Sequence, residues 1–152
     1  MENIPQNVEI IAKFGAAMSI STQLFSTRMA TYLARFDLTE AQFSVLNHLA
    51  RRMPDGASVT SIASAVEVKQ PAVSKMVAKF EGMGWVRFEA ASGDGRSKQV
   101  LMTPSGGAHL MAVQKALLPD YMEMLDGWSD AEIAALTGQL FRLVGWLDAQ
   151  RL

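Results

Sequence analysis

The side chains best suited to chemistry lie on one face of a short amphipathic segment, residues 70–83. Its apolar residues recur at helical spacing and predict an inward stripe of Val73, Met76, Val77 and Phe80. The opposite face carries small, amide, hydroxyl and basic side chains: Gln70, Ala72, Ser74, Lys75 and Lys79. Small residues let a helix approach base edges, an amide can pair with adenine, and lysine reaches guanine or phosphate. This face therefore predicts a DNA-reading helix; the alternative is a basic helix face that only meets solvent.

A second basic feature follows in the segment Asp94-Gly95-Arg96-Ser97-Lys98, which places two cations near a predicted turn. Arginine is the side chain suited to a narrow and strongly negative minor groove. The Asp94 carboxylate could hold the Arg96 guanidinium by a charge-assisted pair. Alternatively, Asp-Gly only makes the turn and Arg96 is solvated. The two basic features in succession point to DNA more strongly than either does alone.

The elements that must position these residues form a recognisable order. A short helix is predicted over Val59–Val66, capped by Thr60, and Glu67-Val68-Lys69 makes a tight turn. The next helix begins near Gln70-Pro71, because proline is tolerated in a first turn. Two short helices joined by about three residues form a helix-turn-helix.

The apolar period then changes from helical to alternating. Trp85–Glu89 predicts one strand, Ser92–Gly95 a turn and Lys98–Met102 the returning strand. Thr103-Pro104 has the residue types of a helix cap and first helical position, and opens a further helix. The predicted fold class is mainly α with a small β-hairpin wing (α+β), a winged helix-turn-helix core between N- and C-terminal helices.

Long helices flank this core on both sides. Residues 8–36 contain no proline and carry two apolar lines, which suit either a core helix or a helix in a subunit contact. Thr39 and Gln42 have the spacing of a capping box, and so do Ser129 and Glu132 before the last helix.

These motifs together resemble the MarR family of winged helix-turn-helix regulators. The resemblance runs over residues 38–107, from Leu38-Thr39-x-x-Gln42-Phe43 to Thr103-Pro104-Ser105-Gly106, and its most specific part is the Asp94-x-Arg96 wing pattern before the Thr-Pro helix start. Two positions depart from the family pattern. Glu67 stands where a turn glycine is common, and Lys69 stands where a serine often caps the recognition helix.

The resemblance implies a homodimeric bacterial transcription regulator, usually a repressor that a small phenolic or other amphipathic ligand releases from a pseudo-palindromic operator in double-stranded DNA. It assigns residues 1–37 and 104–152 to dimerisation and residues 38–103 to DNA binding. The implied DNA-binding residues are Gln70, Ala72, Ser74, Lys75, Lys79, Asp94, Arg96 and Lys98. The implied effector pocket includes Phe14, Met18 and Phe43, and no other cofactor is expected.

Composition fits these expectations once charge is resolved along the chain. The 152 residues are 49% hydrophobic and 19% charged, typical of a folded domain, and include no Cys, which excludes disulfides and thiol chemistry. The formal net charge is −1. Residues 51–103 nevertheless hold eight Lys/Arg against five Asp/Glu, whereas residues 104–152 hold three against six. The positive surplus therefore coincides with the predicted DNA-binding region.

Other classes of function find less support. The only histidines, His48 and His109, share no catalytic or metal-binding motif, so neither catalytic nor metal-ligating residues are predicted. The chain starts without a signal-peptide pattern and has no run of about 20 apolar residues, so we expect a cytoplasmic protein with no membrane partner. The alternative function is a helical dimeric interaction protein that uses the same fold without DNA.

Overall fold

The computed structural model describes residues 8–91 and 94–150, with the side chains of residues 91–97 excepted. The described chain consists of six helices and one two-stranded antiparallel sheet. In order, these are α1 (Val8–Ala34), α2 (Glu40–Arg51), α3 (Val59–Val66), α4 (Gln70–Gly82), β1 (Val86–Ala91), β2 (Asp94–Met102), α5 (Pro104–Met124) and α6 (Asp130–Ala149). The predicted fold class and element order are confirmed, and α1 ends two residues before the predicted Phe36.

The chain divides into two compact units, Met1–Gln114 and Lys115–Leu152. The first unit contains α1 to β2 and the first half of α5, and the second contains the rest of α5 and all of α6. These units are defined by packing. The functional division predicted at residues 37 and 103 concerns roles, and it stays a prediction.

The core of the first unit is the helix-turn-helix together with its sheet. Fully buried side chains come from α2, α3, α4 and β2; they include Leu46, Leu49, Ile62, Val77, Phe80 and Val100. Between α2 and α3, Ala57 forms a bridge with Val100: Ala57 N–H donates to the Val100 carbonyl at 3.1 Å, and Val100 N–H returns a bond at 2.8 Å. This third chain segment at the sheet edge fixes the hairpin against the helices.

Helix starts follow the local signals of the sequence at three of the four predicted caps, Thr39, Thr103 and Ser129. Thr39 Oγ1 accepts from Gln42 N–H at 3.2 Å, and the Gln42 side chain accepts from Thr39 N–H at 3.0 Å. The same reciprocal pair joins Ser129 and Glu132 before α6. The prediction that Thr60 caps α3 is wrong, because Ser58 is the cap and accepts from the N–H of the residue three positions on. Two hydroxyl residues close together made the choice of cap ambiguous, whereas the helix itself spans Val59–Val66 as predicted.

The end of α1 is closed by a residue in the left-handed conformation. At the end of α1, Asp37 has a left-handed φ of 54°, its N–H donates to Ala34, and the Leu38 N–H donates to the Leu33 carbonyl at 3.2 Å. This is the Schellman motif, and Leu33 and Leu38, which stand at the positions of its usual apolar pair, are both buried. Glycine is the common residue at the left-handed position, so an aspartate there is unusual.

The two terminal helices, α1 and α6, leave most of their apolar side chains exposed within the chain. In α1, no residue from Val8 to Phe25 is buried, and the core begins only at Met29 and Leu33. In α6, no residue is buried at all, although the helix carries an apolar stripe. None of the helices in the described ranges is long and apolar enough to cross a membrane.

Candidate nucleic-acid interface

The turn between α3 and α4 places the predicted recognition helix. Glu67 adopts a left-handed conformation, φ 55° and ψ 40°, and the Val68 N–H donates to the Ala63 carbonyl at 3.1 Å. The turn therefore forms with a glutamate where glycine is usual. The strain of a left-handed non-glycine residue is about 1–2 kcal/mol, which the buried packing of both helices must offset.

The start of α4 lacks a side-chain cap. Lys69 occupies the N-cap position with an extended backbone, and its side chain makes no capping hydrogen bond. Pro71 stands in the first turn, where the missing N–H has no helical partner to lose. Lys69 is exposed directly before Gln70, so it adds a cation to the positive face that was not among the predicted DNA-binding residues. The position of Lys69 next to the predicted first turn of α4 was the signal from which this role could have been predicted.

The orientation of α4 agrees with the predicted stripe. Val73, Val77 and Phe80 are completely buried, and Met76 is half-buried. On the opposite side, Gln70, Ser74 and Lys75 are exposed, while Ala72 and Lys79 are half-buried at the edges. The helix thus presents a polar and basic outer face on a rigid, fully packed support.

Lys79 differs from the other four residues of this face. Its ammonium donates to the Asp37 backbone carbonyl at 3.3 Å and lies 3.5 Å from the Asp37 carboxylate. Lys79 was predicted to face DNA. The sequence carries no sign of the contact with Asp37, because Lys79 and Asp37 are 42 positions apart.

The end of α4 is closed by a second Schellman motif and leads directly into the wing. Gly84 has φ 74°, and the Trp85 N–H donates to the Phe80 carbonyl at 2.9 Å. The rings of Phe80 and Trp85 lie 5.7 Å apart, and Trp85 stacks on His109 of α5 at 3.9 Å. Burial lowers the pKa of His109 from its ordinary value of 6.5. Burial therefore favours the neutral form of the imidazole.

The wing is the hairpin of β1 and β2. Its register pairs Val86 with Met102 and Ala90 with Lys98, and it shifts between Ala90 and Ala91. The predicted extent of the turn is wrong at one end: β2 already begins at Asp94, so the backbone of Asp94-Gly95 belongs to the strand. A register shift near the tip is the physical reason, since a bulge lets pairing resume beyond a Gly-containing segment.

Of the predicted wing residues, only Lys98 has a described side chain. It is exposed, with Nζ 6.0 Å from the centre of the Phe88 ring. The side chains of Asp94 and Arg96 lie outside the described residues, so their predicted pairing stays a prediction. On β1, Arg87 forms an ion pair with Glu89.

The predicted effector residues separate into two groups. Phe14 and Met18 line an open groove along α1 with small and polar residues, Gly15, Ser19, Thr22, Gln23 and Ser26. Phe43, on α2, is half-buried and does not line this groove. Among the described residues, no group of three or more His, Asp or Glu side chains could hold a metal ion.

A helix-turn-helix followed at once by a two-stranded hairpin, with a basic outer face on its second helix, defines a winged helix-turn-helix protein. A model of the MarR family matches residues 36–97, which include the α1–α2 corner, both helices of the motif and most of the wing. The helix-turn-helix and most of the wing are therefore similar to those of the MarR family.

Solved structures share the fold well beyond this segment. The apo form of MarR from E. coli is 23% identical, with a TM-score of 0.71 over 93% of this chain and 98% of that one. The transcriptional regulator BldR from Sulfolobus solfataricus is 22% identical, with a TM-score of 0.74 over 93% and 99%. The MepR–DNA complex from S. aureus is 19% identical, with a TM-score of 0.67 over 88% and 96%. The flanking helices therefore belong to the same fold as the core.

Proposed function

We propose that the protein is a homodimeric, sequence-specific DNA-binding regulator that represses transcription from a pseudo-palindromic operator and is released by a small-molecule effector. The outer face of α4 carries this proposal. The side chains of Gln70, Ser74 and Lys75 are exposed there, and none of these side chains takes part in a hydrogen bond or ion pair among the described residues. Side chains of these types on a rigid helix can donate to base edges and phosphates without first breaking internal bonds. MepR, which shares the fold, has been solved bound to DNA.

Dimerisation is supported by the apolar surface of the terminal helices. In α1, Ile10 is 70% exposed and Leu24 is 65% exposed, and in α6 the Phe141 side chain is 70% exposed. Exposed apolar side chains in this number are typical of a surface that another chain covers. We propose that a second copy of this chain covers these apolar side chains, because a two-fold dimer buries the same surface on both subunits. The exposed apolar side chains of α1 therefore favour a subunit contact over a core helix.

In such a dimer the two α4 helices would enter successive major grooves, about 34–36 Å apart along the duplex. The wings would then touch the flanking minor grooves through Arg96, with Asp94 as its partner and Lys98 beside it. An operator with two-fold symmetry follows from this arrangement, because each half-site meets the same protein surface.

The proposed effector is a small amphipathic or phenolic molecule, and the groove along α1 supports it. Phe14 and Met18 offer apolar surface there, and Ser19 and Ser26 offer hydroxyls. An effector releases DNA only if it binds more tightly to a dimer whose recognition helices are wrongly spaced. Adding 4-hydroxybenzoate as a phenolic probe should weaken operator binding by the wild type, and Phe14→Ala should reduce this response. An equal response in both proteins would exclude Phe14 from the pocket.

The decisive experiment is a footprint on the DNA upstream of the gene, combined with a salt titration of affinity and sedimentation of the free protein. We expect two protected half-sites with two-fold symmetry, a dimer in solution, and a steep fall of affinity with salt. Protection without two-fold symmetry would contradict the docking. A dimer that shows no salt-dependent DNA binding would instead support the alternative, a helical interaction protein.

The wing is tested separately by Arg96→Ala. A minor-groove or backbone contact should make this variant bind more weakly to all sequences and leave the order of preference among operators unchanged. Lys115→Ala, which removes a cation at the first residue of the other compact unit, is the control for net charge. Equal affinity of the Arg96 variant and the wild type would remove the wing from the interface.

A further inference from the structure

We infer that Lys79 is a positioning residue: it ties the recognition helix to the corner between α1 and α2 and does not contact DNA. The inference rests on the proposed function and assigns Lys79 a different role from the one its place on the helix face suggested. Two acceptors on Asp37, the backbone carbonyl at 3.3 Å and the carboxylate at 3.5 Å, share the same ammonium.

The acceptor side of this contact is a defined structural element. Asp37 is the left-handed residue of the Schellman motif that ends α1, and its neighbours Leu33 and Leu38 are buried. A cation near the carbonyl groups of a helix end is favourable, because the end carries partial negative charge. Lys79 therefore reaches a rigid corner of the fold.

The corner is also fixed on its other side. Ser26 of α1 donates a hydrogen bond of 2.7 Å to the Glu40 carboxylate in the first turn of α2. Thus α1 is joined to α2 by Ser26 and Glu40, and the same corner is joined to α4 by Lys79. A displacement of α1 would be passed to the recognition helix through these polar contacts.

The surroundings of Lys79 and Lys75 distinguish their roles. The Lys79 side chain is 36% exposed, whereas Asp37 is 91% exposed. Lys75, one turn earlier on α4, is exposed and forms no ion pair among the described residues. Lys75 can neutralise a phosphate at once, but Lys79 would first have to leave two acceptors.

The two roles predict opposite effects of Asp37→Asn on DNA affinity. Asparagine tolerates the left-handed conformation, so this variant removes the charge and keeps the backbone. If Lys79 contacts DNA, freeing it from the carboxylate strengthens binding. If Lys79 positions the helix, the same change loosens α4 and weakens binding. Asp55→Asn, in the turn after α2, gives the same change of net charge away from Lys79 and is the control.

The first experiment measures operator affinity as a function of salt for Lys79→Met, Asp37→Asn and the double variant. We expect each single change to weaken binding by about two- to fivefold, the double variant to match Lys79→Met, and the salt slope to stay unchanged. Lys75→Met removes a cation that faces the DNA, so it should lower the slope by up to about 0.9. A lower slope for Lys79→Met, or tighter binding by Asp37→Asn than by Asp55→Asn, would overturn the inference.

The second experiment needs no DNA and separates this inference from the proposed function. Amide hydrogen exchange in the last turn of α4 should be about two- to fivefold faster in Lys79→Met than in the wild type, with no further change in the double variant. Lys75→Met and Asp55→Asn should exchange like the wild type. Unchanged exchange in Lys79→Met overturns the positioning role even if the protein binds no DNA, whereas a failure to bind DNA alone refutes only the proposed function.

Discussion

The Thr103 hydroxyl donates a hydrogen bond of 2.6 Å to the Gly84 carbonyl oxygen, and so ties the start of α5 to the turn that ends the recognition helix. The Thr103 hydroxyl oxygen also accepts from the Gly106 N–H at 3.1 Å, and this bond caps α5. The Thr103 N–H also donates to the Trp85 carbonyl at 2.9 Å. One side chain therefore serves both as a helix cap and as a link between α5 and the α4–wing junction.

Thr103→Ala should lower the free energy of unfolding by about 1–2 kcal/mol, because the cap and the bond to Gly84 are lost together. Thr103→Ser keeps the hydroxyl and should remain close to the wild type. Urea unfolding of the three proteins measures the difference. If the serine variant loses as much stability as the alanine variant, the methyl group and not the hydroxyl matters.

Replacing the adjacent residues Gly106 and Gly107 by alanine should have opposite effects on stability. A Cβ atom at Gly106 would lie 2.1 Å from the Trp85 carbonyl oxygen, whereas one at Gly107 would meet only the Met102 sulfur at 3.8 Å. Gly106→Ala should therefore destabilise the protein by about 1–3 kcal/mol through overpacking. Gly107→Ala should stabilise it by about 0.5–1 kcal/mol, the usual gain of alanine within a helix. Thermal unfolding of both variants checks the pair, and destabilisation of equal size at both positions would contradict the close approach at Gly106.

Glu67 holds a left-handed conformation that glycine adopts without strain. Relief of about 1–2 kcal/mol, partly offset by about 0.5–1 kcal/mol of chain entropy, should make Glu67→Gly more stable than the wild type. Glu67→Ala removes the carboxylate but keeps the strained conformation, so it controls for charge. Chemical denaturation of the three proteins should place only the glycine variant clearly above the wild type. A gain of the same size in the alanine variant would show that repulsion from the helix end is the cause.

Much of the fold could be predicted because its signals are local. The capping boxes at Thr39 and Ser129 depend on residues three positions apart, and their hydrogen bonds form as the spacing indicates. The inward stripe of α4 follows from the helical period alone. Ser58 was missed because the hydroxyls at 58 and 60 both fit the cap pattern, although only Ser58 directly precedes the first helical residue, Val59.

In the candidate site, the sequence predicted which side chains of α4 face outward, but it did not predict which of them contact another element. Periodicity places Gln70, Ser74 and Lys75 outward, and they are exposed. It places Lys79 near them as well, but a lysine stem is long enough to reach another element. The bond to Asp37 depends on where α1 ends, which the sequence put at Phe36 and the structure puts at Ala34. Contacts of this range depend on the packed fold, and no short pattern encodes them.

Gln70 and Lys75 should affect sequence preference, unlike the wing. In the proposed complex each side chain meets a base edge, so Gln70→Ala or Lys75→Ala should reduce discrimination at one position of each half-site by about 1–3 kcal/mol. Selection of preferred operators from a randomised library measures this for both variants. Ser61→Ala, an exposed position on α3, is the control. Preferences identical to those of the wild type would place both residues outside the base-reading surface.

His109 should make stability depend on pH. Its Nε2 atom is buried and meets no hydrogen-bond partner among the described residues, and burial lowers the pKa of the imidazole from 6.5. Below pH 6.5 the unfolded chain binds a proton that the folded chain does not, so the free energy of unfolding falls as the pH drops through this range. The pKa of His48 is also lowered, first by burial and then by the charges of Arg51 and Arg52, and adds to the same trend.

His109→Phe keeps an aromatic ring against Trp85 and removes the titrating group. We expect urea unfolding of this variant to depend less on pH between pH 7 and pH 5 than unfolding of the wild type, with the remaining dependence coming from His48 and the carboxylates. His48→Phe, made separately, should remove part of that remainder. If the pH dependence of the His109 variant equals that of the wild type, the imidazole has the same proton affinity in both states, and its burial against Trp85 does not disfavour the charged form.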